Sequence, residues 1–158
     1  MQTANTHRAL SARLCGTPLL LAKGAAEVEL ETIDEMRADD SGLVHGGFVF
    51  GLADHAAMLA INEPNVVLGS AELRFLAPVR VGERLTATAR LLALEGKRHR
   101  VEVYVNASSL ARGESASLGV GAAPASEGGR REERVFEGTF VCFVPAQHVL
   151  AARSGGAQ

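Results

Sequence analysis

The sequence has no tryptophan, a single tyrosine and an aromatic content of 4%. That leaves little material for the stacking platforms on which proteins hold single-stranded nucleic acid. A basic excess is missing as well, since sixteen Lys and Arg stand against eighteen Asp and Glu for a net charge of −2. A surface built to neutralise a phosphate backbone is therefore not expected, and no nucleic acid is expected as partner. The two cysteines, Cys15 and Cys142, are too few for a disulfide framework and have no CxxC spacing. No run approaches the ~18 to 20 continuous apolar residues needed to cross a bilayer. The nearest imitation of a secretory leader, Leu14 to Ala22 behind Arg8 and Arg13, is broken by Gly16 and Pro18 and lacks a small-residue cleavage pattern. The expectation is a soluble, reduced, cytoplasmic protein with no membrane partner.

What remains is ordinary globular material: 158 residues, 47% hydrophobic and 22% charged, enough for one domain and too apolar for global disorder. Between Ala25 and Ile33, Val28 and Leu30 alternate with Glu27, Glu29 and Glu31, the period of a half-buried strand. A charged, turn-like stretch follows from Met36 to Gly42. The one long helical candidate is Gly46 to Ile61, in which Asp54 and His55 are the only polar side chains. A helix apolar nearly all round must be covered on most sides. Asn62, Glu63 and Pro64 end it, because the residue before a proline avoids the helical region.

Period-2 alternation then marks strands around Ala71–Phe75, Leu85–Ala93 and Val101–Val105, with Glu95-Gly96-Lys97 as a hairpin turn, and Val135–Val144 is a last strand. In Ala107–Gly129, sixteen of twenty-three residues are Ala, Ser or Gly, too little apolar bulk to offset the entropy of ordering. Residues 107–134 are thus expected to be a flexible insertion in a single domain spanning 1–150, with 151–158 a disordered tail. The fold class is α+β: an antiparallel five-stranded sheet wrapped around one long central helix. Such a sheet cannot close around the helix alone, so pairing of two copies through an edge strand is expected.

Asp54 is the most informative residue. Its helical neighbours are Phe50, Ala57, Met58 and Ile61, and an ionised, unpaired carboxylate in that stripe costs several kcal/mol. It must be partnered, for instance by Arg74 or Arg80, or shifted in pKa at a cleft; shifted carboxylates in apolar clefts are candidates for chemistry. His45-Gly46-Gly47 stands where the helix begins. The first amides of a helix have no internal partner and lie at the positive end of its dipole. Glycines there leave those donors bare for an oxygen that gains charge, which is what an oxyanion hole requires; tight packing is the simpler alternative reason for them.

The run His45-Gly46-Gly47-Phe48-Val49-Phe50-Gly51-Leu52-Ala53-Asp54-His55-Ala56-Ala57 closely resembles the helix-start signature of hotdog-fold acyl-CoA thioesterases. It is most similar to the phenylacetyl-CoA thioesterase branch, whose pattern is His-Gly-Gly, six residues, Asp. Phe75 to Leu85 resembles the strand-to-strand segment of the same superfamily. The resemblance implies the hotdog fold, a homodimer or dimer of dimers (a homotetramer), and sites at the subunit interface. It implies no metal and no cofactor, coenzyme A being part of the substrate. Carried over, Asp54 is nucleophile or general base and faces the His-Gly-Gly helix start of the other subunit. The Gly47 amide polarises the thioester carbonyl, beside Gly46, and His45 positions the substrate or the loop.

One departure concerns the position six residues before His45, where that branch commonly has an Asn that donates a hydrogen bond. Here it is Asp39, which only accepts when ionised. Phe48, Phe50, Met58 and Phe75 are candidates for an apolar acyl pocket, with Ser70 and Arg74 on the strand after the helix. Lys97 and Arg98, near Arg100, are candidates for the phosphates of coenzyme A. Two other readings stand beside hydrolysis. One is a non-hydrolytic acyl-CoA-binding regulator; the other is an enoyl-CoA hydratase-like protein, suggested by the spacing of Asp40 and His45. His55, about 100° around the helix from Asp54, is expected to face solvent or an interface.

Overall fold

The computed structural model describes residues 2–109 and 132–151. Its long helix, α2, is Gly46–Ile61, bounded as the sequence predicts. Asn62 ends it in the left-handed conformation, φ 57°, with its amide donating to the Met58 carbonyl at 2.9 Å. The Asn62 side chain then ties down the N-terminal arm, accepting from the Asn5 amide at 2.8 Å and donating to the Thr3 carbonyl at 3.0 Å.

The sheet has six strands, not five, all antiparallel, in the order β1-β2-β4-β5-β6-β3. They are β1 (Thr17–Ala22), β2 (Ala25–Glu31), β3 (Val67–Phe75), β4 (Arg84–Glu95), β5 (Arg98–Ser108) and β6 (Glu132–Phe143). The additional strand is β1, and a four-residue helix, α1 (Ala12–Cys15), leads into it. Its Leu19-Leu20-Leu21 run shows no alternation. As an edge strand it buries only Leu21 in full, while Leu19 and Leu20 stay 44% exposed, so no period-2 signal was there to find.

One sheet face receives α2. Ala26, Val28 and Leu30 of β2, Leu85, Ala87 and Ala89 of β4, and Val101, Val103 and Val105 of β5 all point at it and are fully buried. From α2 they meet Val49, Leu52, Ala53 and Ala56, also buried. Burial of one Val or Leu side chain contributes about 1.5–3 kcal/mol, so this layer holds sheet and helix in fixed register. Toward β6 the contact is aromatic: Phe50 stacks on Phe140 with centroids 5.7 Å apart. The two edges are β1 and β3, and β3 runs alongside the part of the sheet that faces Asp54.

The expected insertion, 107–134, falls mostly outside the described residues. Its ends are ordered strand, with Ala107 opposite Glu133 and Ser108 opposite Glu132. Of the expected tail, only Ala151 is among the described residues. Among them no helix is long and apolar enough to cross a membrane.

Gly16 joins α1 to β1 where the chain crosses closest to α2. Its φ is +88°, and a Cβ there would stand 2.7 Å from the Glu29 carbonyl oxygen and 2.8 Å from side-chain carbons of Leu52 and Val28. Gly16→Ala is expected to cost about 2 kcal/mol or more, read as a lower urea midpoint. A change below about 0.5 kcal/mol, the usual size at an unconstrained surface position, would contradict this packing.

Candidate active site

The approach to α2 is fixed by backbone bonds. The Val44 amide donates to Val79 at 2.8 Å and that of His45 to Met36 at 2.9 Å. Just before it, Asp39 closes the turn, its Oδ1 accepting from the amides of Ser41 at 2.9 Å and Leu43 at 3.2 Å. The carboxylate at this departure from the family pattern thus does local structural work as an acceptor. Asp40 lies exposed on the same turn, and no hydrogen bond joins it to His45.

No side chain caps α2 at His45. Among the described residues the amides of Gly46 and Gly47 have no hydrogen-bond partner. Both glycines also have steric reasons. A Cβ on Gly46 would lie 3.1 Å from the Phe75 ring, and one on Gly47 would lie 3.0 Å from His45 Nε2. Two bare donors at the positive end of a four-turn helix form a ready cradle for an oxygen bearing negative charge.

Asp54 follows Gly47 by seven residues, about 10 Å along the helix axis and only about 20° around it. The carboxylate and the bare amides therefore share one face of α2. Asp54 Oδ1 is buried and has no hydrogen-bond partner among the described residues. Neither candidate arginine reaches it; Arg74 is bonded instead to Glu137. Burial raises its pKa from the ordinary 3.8 to about 6.

Two thiols feel its charge. Cys15 and Cys142 are both raised, first by burial and then by the Asp54 charge, Cys142 to about 12. Both stay protonated at neutral pH, so neither supplies a thiolate nucleophile. Neither thiol therefore competes with Asp54 as a candidate for attack or base catalysis.

His55 departs from expectation. It is 5% exposed, with Nδ1 donating to the Cys15 carbonyl at 2.9 Å, and burial lowers its pKa. Helix α1, which the sequence did not reveal, is what covers it; in turn His55 anchors Cys15 against the helix beside Asp54.

The remaining candidates divide into three groups. Phe75 stands on the helix-facing side of β3, 55% exposed, edge-on to Phe136 at 5.3 Å. With Leu43, Val49, Leu76 and Pro78 it lines an apolar cavity of about 280 Å³ beside the helix start. Phe48 meets the His45 ring edge-on at 6.3 Å, and Phe50 faces Phe140. Met58 is fully buried in the core. Ser70 and Arg74 pair with Val141 and Glu137, residues of the opposite, outer sheet face, so they are not brought to Asp54. Lys97 and Arg98 sit at the β4–β5 hairpin, with Arg98 over the Phe143 ring at 6.0 Å; Phe143 adjoins Cys142, so the pair lies at the Asp54 end of β6. Sequence reasoning missed Cys15 and the Leu76–Pro78 wall, whose contacts depend on segments with no periodic signal.

Residues 41–111 match the model of the thioesterase superfamily. That segment belongs to the superfamily, and the sheet and long helix have the hotdog fold. The crystal structure of an uncharacterized protein, PH1136 from Pyrococcus horikoshii, is 49% identical, covers 94% of this chain and 97% of its own, and superposes with a TM-score of 0.76. A mutant of the phenylacetic acid degradation protein PaaI from Thermus thermophilus is 25% identical, covering 84% of this chain and 95% of its own, with a TM-score of 0.62. Among curated proteins, a methylthioribose-1-phosphate isomerase from Aquifex aeolicus is 50% identical over 98 residues, 62% of this chain. The transcription factor FapR from Caldanaerobacter subterraneus is 23% identical over 146 residues, 92% of this chain. The chain spans only 22% of that isomerase's length and 62% of that FapR's.

The Asp54 pKa has a consequence for stability. A carboxyl group whose folded pKa lies above its unfolded value stabilises the fold least when ionised. The cost is absent below pH ~4, grows as pH rises toward about 6, and is then constant at roughly 2 to 3 kcal/mol. Asp54→Asn is therefore expected to raise the urea midpoint at pH 7.5, the gain vanishing at pH 4. A difference independent of pH would contradict the shift.

Proposed function

We propose that this protein is an acyl-CoA thioesterase, hydrolysing an acyl-CoA thioester to the free acid and CoA at a site formed between two copies of the chain. The observation that carries the reading is a half-buried carboxylate whose Oδ1 is buried without a partner, with a pKa of about 6, on the same helix face as the uncapped Gly47 amide. The thioester oxygen accepts from the Gly47 amide, with Gly46 beside it, and His45 holds the substrate or its own loop. Charge that grows on that oxygen during attack is stabilised there more than in the ground state, and one such donor is worth about a hundred- to a thousand-fold in rate.

Asp54 acts in one of two ways. As nucleophile, its carboxylate attacks the carbonyl carbon, the C–S bond breaks and CoA leaves as thiolate; water then hydrolyses the mixed anhydride and restores Asp54. As general base, it takes a proton from a water that attacks the carbonyl directly; the C–S bond then breaks and the proton passes to the departing CoA thiolate. Both routes need the ionised carboxylate, and a pKa near 6 leaves it ionised at neutral pH yet more basic than an ordinary Asp. Direct attack on a carbonyl held by an amide spans about 6 to 7 Å from donor to nucleophile. Within one chain the separation along α2 is about 10 Å, which supports pairing Asp54 with the Gly47 of a second copy across the β3 edge.

A homodimer, or a dimer of dimers, in the cytoplasm follows from this reading. The apolar cavity beside Phe75 suits the acyl group, and Lys97 and Arg98 suit the phosphates of CoA. A second reading, a non-hydrolytic acyl-CoA-binding regulator, is favoured by one observation, the match to the transcription factor FapR along 92% of this chain.

Thiol release from a panel of acyl-CoA thioesters, with Asp54→Asn beside the wild type, separates the two. Hydrolysis predicts a wild-type rate that falls by about a hundredfold or more in the variant. It also predicts that kcat falls about tenfold per pH unit below pH 6, as Asp54 takes up its proton. Absence of turnover in both proteins, with acyl-CoA still raising the thermal midpoint, would replace the enzyme by the regulator.

A further inference from the structure

The N-terminal arm, residues 2–10, is fastened to the body at two residues of unusual backbone conformation. Among the described residues, His7 and Asn62 are the two non-glycine residues with positive φ, 51° and 57°. Asn62 ends α2 and grips the arm at Thr3 and Asn5. His7 stands at the other end of the same attachment, where the chain turns and the His7 carbonyl accepts from the Leu10 amide at 3.2 Å. Left-handed backbone costs a residue with a side chain on the order of 1–3 kcal/mol and persists only where its surroundings hold it.

What holds His7 is a neutral ring. Its Nδ1 shares a 2.7 Å hydrogen bond with the hydroxyl of Thr6, which is 4% exposed. With Thr6, Pro64, Asn65 and Val67, His7 and His148 line one cavity of about 260 Å³. Burial lowers the pKa of His7 from 6.5, and the charge of His55 on α2 lowers it further; burial also lowers that of His55. Nothing packed against the arm offsets a positive charge there. Cys15 of α1 is a protonated thiol, residues 64–67 carry no charge, and the neighbour Arg8 is itself cationic. Glu63, beside that wall, is exposed, and the hydrogen bonds of the three rings go to Thr6, Cys15 and Leu150, none to a carboxylate. A neutral ring can accept the Thr6 proton at Nδ1, whereas a protonated ring carries N–H on both nitrogens and loses that acceptor.

We propose that His7 is a pH latch: its neutral ring holds the arm on the body, and its protonation releases the arm. Release opens the cavity beside His148 and frees the Leu21 carbonyl of β1, which accepts from the Gln2 amide at 3.0 Å. Because burial lowers the ring's pKa, the docked arm binds fewer protons than the released one. Docking is therefore at full strength above the unfolded value near 6.5 and weakens as pH falls below it. The latch does not depend on the thioesterase reading.

Hydrogen exchange by NMR, corrected for the intrinsic rate at each pH, reads the latch at the Gln2 and Asn5 amides, which the docked arm bonds to Leu21 and Asn62. Protection there is expected to fall about tenfold or more between pH 7.5 and 5, while amides of β4 and β5 keep theirs. The His7 ring signals should titrate below pH 6.5, together with that fall. His7→Asn keeps a residue that tolerates the left-handed conformation and an oxygen that can accept from Thr6, but it does not titrate. Its arm protection should change less than about twofold over the same range. Arm protection that is flat in the wild type, an equal fall in His7→Asn, or a fall shared with β4 and β5 would overturn the proposal. If His7→Asn leaves the arm unprotected at pH 7.5, the wild type decides alone: release at a pH where the His7 ring is still neutral overturns the latch, and release that follows its titration supports it.

Discussion

A carboxylate sits inside a helix that has nothing else ionisable to present except a buried histidine, and most of the molecule can be read as the means of keeping it there. Helix α2 is apolar on nearly every side, so it is stable only when covered. The sheet covers it from β2, β4 and β5, and α1 covers it at His55. Among the described residues, the face carrying Gly47 and Asp54 has open ground on it. Removing water from Asp54 raises its pKa, and the fold bears that cost because the surrounding Val, Leu and Phe side chains contribute far more by their own burial. Such a local loss of stability at a group retained for chemistry is the usual form of the trade between stability and activity.

Short polar ties add to the core in positioning that face. Asp39 closes the turn that feeds the helix start, His45 is bonded through its amide to Met36, and Asn62 fastens the N-terminal arm to the far end of α2. The two bare amides and the carboxylate all lie on this one helix. The distance between them is then set by the rise of the helix and does not depend on loops. A site that needs both groups at one carbonyl must therefore bring two helices together, and the unpaired edge of β3 is where a second sheet can join.

The helix could be read from the sequence to the residue, because its apolar run is bounded by two glycines and by Asn62 ahead of Pro64. The strands β2, β3, β4 and β5 were legible because each alternates over a face that is half solvated, and β6 because it is rich in Phe and Val. β1 was not, since an edge strand with three consecutive leucines alternates nothing. Missing β1 and α1 also misplaced His55, which looked like a surface residue only because its cover was unseen. Asp54 stood out on chemistry alone, as a charge among Phe, Ala, Met and Ile. Its lack of any arginine partner needed the structure, which commits Arg74 to Glu137 on the other sheet face.

The central claim is that Asp54 of one copy works on a carbonyl held by Gly47 of another, and subunit mixing tests it most directly. Gly47→Pro removes that amide in the first helical turn, where no intrahelical hydrogen bond is lost, and Asp54→Asn removes the carboxylate. Each variant alone should release almost no thiol from acyl-CoA. If the two are unfolded together and refolded as mixed dimers, about half the dimers are mixed and each holds one complete site, so roughly a quarter of wild-type activity should return. A mixture as inactive as its parents, with mixed dimers shown to have formed, would contradict a site shared between copies.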